Sequence, residues 1–85
     1  MHDILLAKEI FDMVIKYAKK NRLKKVKRIK IGLGQIEDHQ EIIKPTNLRF
    51  NFQILASKKA LTCSTKLVIR RINSPDWLLE EIEGE

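Results

Sequence analysis

Residues 4–33 read ILLAKEIFDMVIKYAKKNRLKKVKRIKIGL, and the spacing of their apolar side chains changes partway along. Over 4–20 apolar residues recur every three or four positions, which predicts an amphipathic helix. Over 24–33 they alternate with Lys and Arg, which predicts a strand with one apolar face. The expected inner faces comprise Leu6, Ala7, Ile10, Phe11, Val14, Tyr17 and Ala18 on the helix, and Ile29, Ile31 and Leu33 on the strand.

The ends of these two elements carry local signals. Asp3 is predicted to cap the helix, because its carboxylate can accept hydrogen bonds from the free amides of the first turn. Val26 is out of phase with the other apolar residues of the strand, which predicts a bulge or burial on both faces there.

The rest of the chain completes the pattern. After a predicted loop over 32–44, Pro45 suits the first turn of a helix over about 45–57. Its apolar stripe comprises Leu48, Phe52, Leu55 and Ala56. TKLVIRRI (65–72) predicts a second strand. WLLEEIE (77–83) fits a third strand, with Leu79 and Ile82 inward, or a short helix; the strand is preferred because two strands make a poor sheet.

This order of elements predicts the fold class. We expect a two-layer α/β sandwich, with two helices on one face of a small mixed three-stranded sheet. A length of 85 residues suits a single domain over 1–85. The formal net charge of +6 is uneven, with a basic stretch at 19–30 and an acidic one at 78–85, so we expect a charge dipole.

Composition excludes some classes of site and compartment. The single cysteine, Cys63, allows neither an intramolecular disulfide nor a cysteine-built zinc site. No apolar run approaches the roughly 20 residues of a membrane span, and the N-terminus is not a signal peptide. A reducing cytoplasm is therefore the expected compartment, with no membrane partner.

The first three residues offer a candidate metal site. Met1 contributes a terminal amine, His2 an amide and an imidazole, and Asp3 an amide and a carboxylate. Nickel(II) and copper(II) favour such nitrogen-rich square-planar sets. Amides at a helix start have no intrahelical acceptor, so losing their protons sacrifices no helix bond. On these three residues alone, the simpler interpretation is an exposed histidine before a helix capped by Asp3.

A family resemblance adds weight to the metal site. MHDILLAKEIFDMVIKYAKKNRLKKVKRIKIGLGQIE, IIKPTNLRFNFQILA, TKLVIRRI and LLEEIEGE together resemble the HypA/HybF family of hydrogenase nickel-incorporation proteins. That family begins with Met-His-Glu, which binds nickel. The resemblance implies nickel ligation by Met1, His2 and Asp3. It also implies hand-over with a GTPase of the HypB type to a hydrogenase large subunit, and in some organisms to urease.

The chain departs from this family in two ways. Asp3 replaces the family's glutamate and is one methylene shorter, which affects a role of the side chain but not of the backbone amide. The family also carries a zinc ribbon with two C-x-x-C pairs, whereas RRINSPDWLLEEIEGE runs straight across with a turn near 73–77. We therefore expect no structural zinc.

Two further sets of residues are candidates. His39 lies among acids in QIEDHQE and is a candidate extra metal ligand, or part of a solvated loop. The second set is the basic residues of the first predicted strand: Lys24, Lys25, Lys27, Arg28 and Lys30. Their first interpretation is a solvated face, the second a docking face for an acidic partner, and the third an RNA-binding face. No aromatic residues interleave with them, as a base-stacking surface requires, so nucleic acid is not the expected partner.

The sequence therefore predicts a nickel-binding accessory protein for a nickel enzyme such as nickel-iron hydrogenase. It contains no P-loop, no nucleophile with a neighbouring base and no paired catalytic carboxylates, so an enzyme is not expected. Bare strand edges make a homodimer credible. The alternative is a metal-independent basic α/β module that binds RNA or a protein.

Overall fold

A computed structural model describes residues 2–38 and 41–85 of the chain. Its elements follow the predicted order, with a small hairpin added between the first strand and the second helix. They are α1 (Asp3–Lys20), β1 (Val26–Leu33), β2 (Glu37–Asp38), β3 (Glu41–Ile42), α2 (Pro45–Ala56), β4 (Lys66–Arg71) and β5 (Trp77–Gly84).

The main sheet has three strands in the order β4-β1-β5. Strand β1 lies in the centre, parallel to β4 and antiparallel to β5, so Ile29 is opposite Leu67 on one side and Ile82 on the other. The mixed three-stranded sheet and the strand at the end of the chain are both confirmed.

The two helices cover the inner face of this sheet. The rings of Phe11 and Phe52 meet edge to face between the helices, with their centroids 6.1 Å apart. Arg49 on α2 donates a hydrogen bond to the Leu67 carbonyl of β4, whereas α1 packs beside β5. The predicted inner faces are buried except at four residues that are half-buried, namely Tyr17, Leu55, Leu79 and Ile82. The two-layer α/β sandwich is thus confirmed.

Two irregularities interrupt the pairing of β1 with β5. One lies between Val26 and Arg28, where the sequence predicted either a bulge or burial on both faces. The other lies between Lys30 and Ile31, and it allows Leu79 and Ile82, three residues apart, to face the helices together. The bulge therefore accounts for both inward residues of β5.

Two local predictions are wrong. The helix begins at Asp3 itself, and the N-cap residue is His2. Asp3 therefore acts as an acidic residue in the first turn, where the helix dipole favours it. The predicted loop over 32–44 contains the end of β1 and the β2–β3 hairpin, in which Glu37 is opposite Ile42. The connection within this hairpin, at 39–40, lies outside the described residues.

The connections give the molecule two distinct ends. Near the C-terminal ends of the helices, the Leu23 amide donates to the Ala18 carbonyl and the Val26 amide to the Leu61 carbonyl. Because α2 connects the parallel strands β1 and β4, it runs antiparallel to both. Only five residues separate α1 from β1, so α1 is also antiparallel to β1 and therefore parallel to α2. Both helices therefore begin at one end of the molecule, near the hairpin and residues 72–76.

Candidate metal centre at the N-terminus

His2 occupies the N-cap of α1 with an exposed side chain. Its backbone is extended, with φ −75° and ψ 147°, and its carbonyl accepts a hydrogen bond from the Leu6 amide at 3.0 Å. The His2 carbonyl therefore belongs to the helix, while its amide and imidazole precede the first turn. Met1, which would supply the terminal amine, lies outside the described residues.

Asp3 is the first helical residue and is half-buried. Its amide is one of the four at a helix start that have no acceptor within the helix. His2 and Asp3 thus offer two consecutive amide nitrogens and an exposed imidazole. This arrangement can bind a metal that displaces amide protons, without breaking a helical hydrogen bond.

Side chains alone do not form a comparable site elsewhere in the part of the chain that the structure describes. Among the side chains that the structure describes, at 2–36 and 42–85, no group of three or more His, Cys, Asp or Glu could hold a metal ion. Exposed Cys63 donates its thiol hydrogen to the Ala60 carbonyl after α2. His39, the candidate extra ligand, lies outside the described residues. A metal centre at the N-terminus therefore depends on backbone nitrogen.

The predicted docking cations lie beside the acidic strand. The Lys27 ammonium is 2.6 Å from a carboxylate oxygen of Glu85. The Arg28 guanidinium is 4.0 Å from a carboxylate oxygen of Glu83. The hydrogen bond and charge of Glu85 raise the pKa of Lys27, and Lys27 in turn lowers the pKa of Glu85. The expected charge dipole is wrong here, because antiparallel pairing places the basic and acidic stretches side by side.

The remaining docking candidates differ in exposure. Lys24 and Lys25 are exposed before β1, and their amides donate to the Glu85 carbonyl. Lys30 is half-buried on the outer face of the sheet, opposite Glu81. Because α1 is 18 residues long, Lys24 and Lys25 lie roughly 27 Å from His2 along the helix axis. The metal ligands and these exposed cations thus occupy opposite ends of the molecule.

An ion pair across the sheet was missed by the sequence analysis. Arg70 on β4 donates to Glu80 on β5 through Nε at 3.1 Å and through a second guanidinium nitrogen at 2.5 Å. It passes over Gly32 of the central strand, where an added Cβ would meet the Glu80 carboxylate at 3.4 Å. The hydrogen bond raises the pKa of Arg70 and lowers that of Glu80. The sequence signal for this ion pair was Gly32, because a glycine in a central strand leaves room for side chains of its two neighbours to meet across it.

Neither α1 nor α2 is long and apolar enough to cross a membrane.

Comparison with known proteins identifies the family of this chain. Residues 1–75 match the family described as hydrogenase/urease nickel incorporation, metallochaperone, HypA. Among solved structures, the nickel metallochaperone HypA from Helicobacter pylori superposes with a TM-score of 0.80 at 14% identity, covering 99% of this chain and 97% of that chain. A second HypA solution structure gives 0.74 at 13% identity, covering 100% and 97%.

At these identities the solved structures establish the fold alone, and among curated proteins none matches the chain. The family match, by contrast, begins at the first residue and spans most of the sequence. The chain therefore belongs to the HypA family of hydrogenase and urease nickel-incorporation metallochaperones.

Proposed function

We propose that this chain takes up nickel(II) as cargo at its N-terminus. Met1 supplies the terminal amine, His2 an amide nitrogen and the imidazole, and Asp3 an amide nitrogen. The observation that carries this proposal is the position of His2, which is exposed and extended at the N-cap of α1. Its amide and that of Asp3 can lose their protons without loss of a helical hydrogen bond.

The charge at this end of the molecule supports an amide-bound nickel rather than a bare cation. Both helices begin here, and each helix N-terminus carries about half a positive charge. This field opposes a free divalent cation. Two ionised amides cancel the charge of nickel(II), so the complex removes the repulsion. Binding in this way releases protons, and affinity should therefore fall as the pH falls.

Delivery follows from an open site. His2 is exposed, so a partner that docks at the start of α1 can approach the metal directly. A GTPase of the HypB type and a hydrogenase large subunit are the proposed partners, in the cytoplasm. The chain acts without catalysing a reaction, and as a monomer or a homodimer.

The other parts of the proposal concern zinc and docking. With Cys63 as its single cysteine and a turn in place of the family's ribbon, the chain is proposed to bind no structural zinc. His39 remains a candidate extra nickel ligand. Of the cations proposed to orient an acidic partner, exposed Lys24 and Lys25 are the main contributors, because Lys27 and Arg28 are paired with Glu85 and Glu83.

The test is a nickel(II) titration of protein with its native N-terminus, followed by calorimetry and visible absorption. We expect stoichiometric binding with a square-planar spectrum. His2→Ala and a one-residue N-terminal extension should each abolish it, because they remove the imidazole or convert the terminal amine into an amide. Binding that survives both changes would contradict the proposal.

Asp3→Ala provides a matched control. It removes the carboxylate but keeps the amide nitrogen, so nickel affinity should change by less than about tenfold, which corresponds to about 1.4 kcal/mol. Circular dichroism should show the same fold in all three variants. Loss of nickel binding in Asp3→Ala with the fold intact would assign the ligand role to the side chain instead.

A further inference from the structure

A groove with a volume of about 420 Å³ opens between α1 and β5. Met13 and Tyr17 line its helical side, and the six consecutive residues 77–82 of β5, which include Glu80 and Glu81, line its strand side. Trp77, Leu79 and Ile82 pack against the core and are half-buried, and Met13 and Tyr17 are also half-buried, so all five side chains remain accessible on one side. Tryptophan, tyrosine and methionine are enriched where proteins bind each other, and buried aromatic residues dominate the binding energy.

Strand β5 forms one edge of the sheet. In the described part of the chain it pairs with β1 alone, which leaves backbone donors and acceptors along its other side. An extended segment that paired there would direct alternate side chains toward the helical layer, into the groove. The remaining side chains would lie on the outer face of the sheet.

The charges near the groove determine what such a segment must contain. On the outer face, Glu81 is opposite Lys30 and is exposed, and among the described side chains it has no ion-pair partner. At the helical side, the Lys16 and Lys20 ammonium groups lie 6.0 and 5.9 Å from the centre of the Tyr17 ring. A basic side chain is therefore attracted to Glu81 on the strand side and repelled by Lys16 and Lys20 on the helical side.

We propose that the β5 edge and its groove bind an extended segment of a partner protein in which apolar and basic residues alternate. The apolar residues fill the groove between Tyr17 and Leu79, and the basic residues face Glu81. A symmetric pairing of two copies through this edge is disfavoured, because it would bring two strands rich in glutamate together. None of the groove residues belongs to the nickel site.

The test uses a synthetic peptide, Ile-Lys-Val-Lys-Ile-Lys-Val, with blocked ends and a fluorescein label, in a fluorescence anisotropy titration. We expect saturable binding that disappears when glutamate replaces lysine in the peptide. N-methylation of alternate peptide amides should also abolish it, because it removes the donors of a strand ladder. Equal binding of the acidic or the N-methylated peptide would overturn the proposal, as would no saturation by about 1 mM.

Variants of the protein locate the peptide. Glu81→Lys should weaken binding about tenfold, whereas Glu9→Lys, the same charge change at an exposed position of α1, should alter it less than about twofold. Tyr17→Ala tests the groove and should weaken binding by a similar factor. Equal affinities across the variants, with circular dichroism showing that each is folded, would overturn the proposal.

Sedimentation of the protein alone tests whether a second copy of this chain, rather than a partner protein, occupies the groove. A monomer at peptide-binding concentrations agrees with a partner protein. A dimer that dissociates in Tyr17→Ala would assign this edge to a second copy and overturn the proposal.

Discussion

Gly34 is the position at which the absence of a side chain matters most. It is buried, its amide donates to the Asp76 carbonyl at 2.9 Å, and the next amide, of Gln35, donates to the Ser74 carbonyl at 2.7 Å. A Cβ at Gly34 would overlap the carbonyl oxygens of both Ser74 and Asp76. The backbone of residues 72–76 is thus held against the end of β1 only because residue 34 is glycine.

We predict that Gly34→Ala lowers the free energy of unfolding by about 1–3 kcal/mol or more, because backbone atoms must move to admit the methyl group. Gly32→Ala is the matched control. There the added Cβ meets Ile72 Cγ2 at 2.9 Å, and this side chain can rotate away, so the loss should be smaller. Urea unfolding of the two variants measures the difference, and an equal loss would contradict the assignment.

The residue scale also shows where sequence reasoning was off by a single position. A carboxylate before an apolar run predicted Asp3 as the N-cap, but Asp3 is the first residue of the helix and His2 is the N-cap. Local patterns place a helix start only to within a residue or two. The amides of His2 and Asp3 lie outside the helical hydrogen-bond pattern with either residue as the N-cap, so the candidate metal site does not depend on this shift.

At the scale of elements, α2 presents two phenylalanines to opposite environments. Phe52 is fully buried against Phe11, whereas Phe50, two residues earlier, is 65% exposed. We predict that Phe52→Ala lowers the unfolding free energy by about 3–5 kcal/mol, since it leaves a cavity between the helices. Phe50→Ala should stay within about 0.5 kcal/mol. Thermal or urea unfolding checks both values. Similar losses of unfolding free energy in the two variants would contradict this orientation of α2.

Strand β5 is tied to its neighbours by carboxylates whose pKa values are lowered. Hydrogen bonds from Arg70 and Lys27 lower the pKa of Glu80 and Glu85 in the folded protein. A carboxylate whose folded-state pKa lies below its unfolded-state pKa stabilises the fold above the unfolded pKa. That contribution is lost as the pH falls through the folded pKa.

We therefore predict that the unfolding free energy decreases on acidification below about pH 4.5. Glu80→Gln should make the protein less stable at neutral pH and reduce this acid dependence. Glu81→Gln, which removes a neighbouring carboxylate without an ion pair in the described residues, is the control and should leave the dependence nearly unchanged. Urea unfolding at several pH values is the measurement, and parallel curves for all three proteins would refute the assignment.

At the scale of the whole molecule, the net charge of +6 overstates the positive surface available to a polyanion. Arg28 and Arg70 each lie within 4.0 Å of a carboxylate on β5, and Lys27 lies within that distance of Glu85, directly after β5. A phosphate backbone would have to compete with those carboxylates. The expected homodimer also meets an electrostatic barrier, since a symmetric contact through β5 would pair like charges.

We predict that a single-stranded RNA binds this protein more weakly than about 100 µM at physiological salt. Fluorescence anisotropy with a labelled oligonucleotide across a salt series measures this affinity and its slope. Glu83→Gln and Glu85→Gln release Arg28 and Lys27 and should strengthen RNA binding. Tight binding by the unaltered protein at physiological salt would favour the metal-independent RNA-binding module over the nickel carrier.

The sequence by itself determined the type and order of the main elements and most of their inner faces, because hydrophobic period is a local property. It also showed that the candidate nickel ligands are neighbours, because Met1, His2 and Asp3 are consecutive in the chain. The secondary structure around Leu79 and Ile82 was harder to predict from the sequence, because a spacing of three residues between inward side chains also fits a helix. Only the bulge against β1 reconciles that spacing with a strand.

The tertiary structure alone decided which strands are neighbours. It placed the acidic strand beside the basic one, carried Arg70 over Gly32 to Glu80, and opened the groove between α1 and β5. These contacts join residues far apart in the chain. They depend on strand order and register, which follow from packing the whole apolar surface at once and which no local pattern of residues specifies.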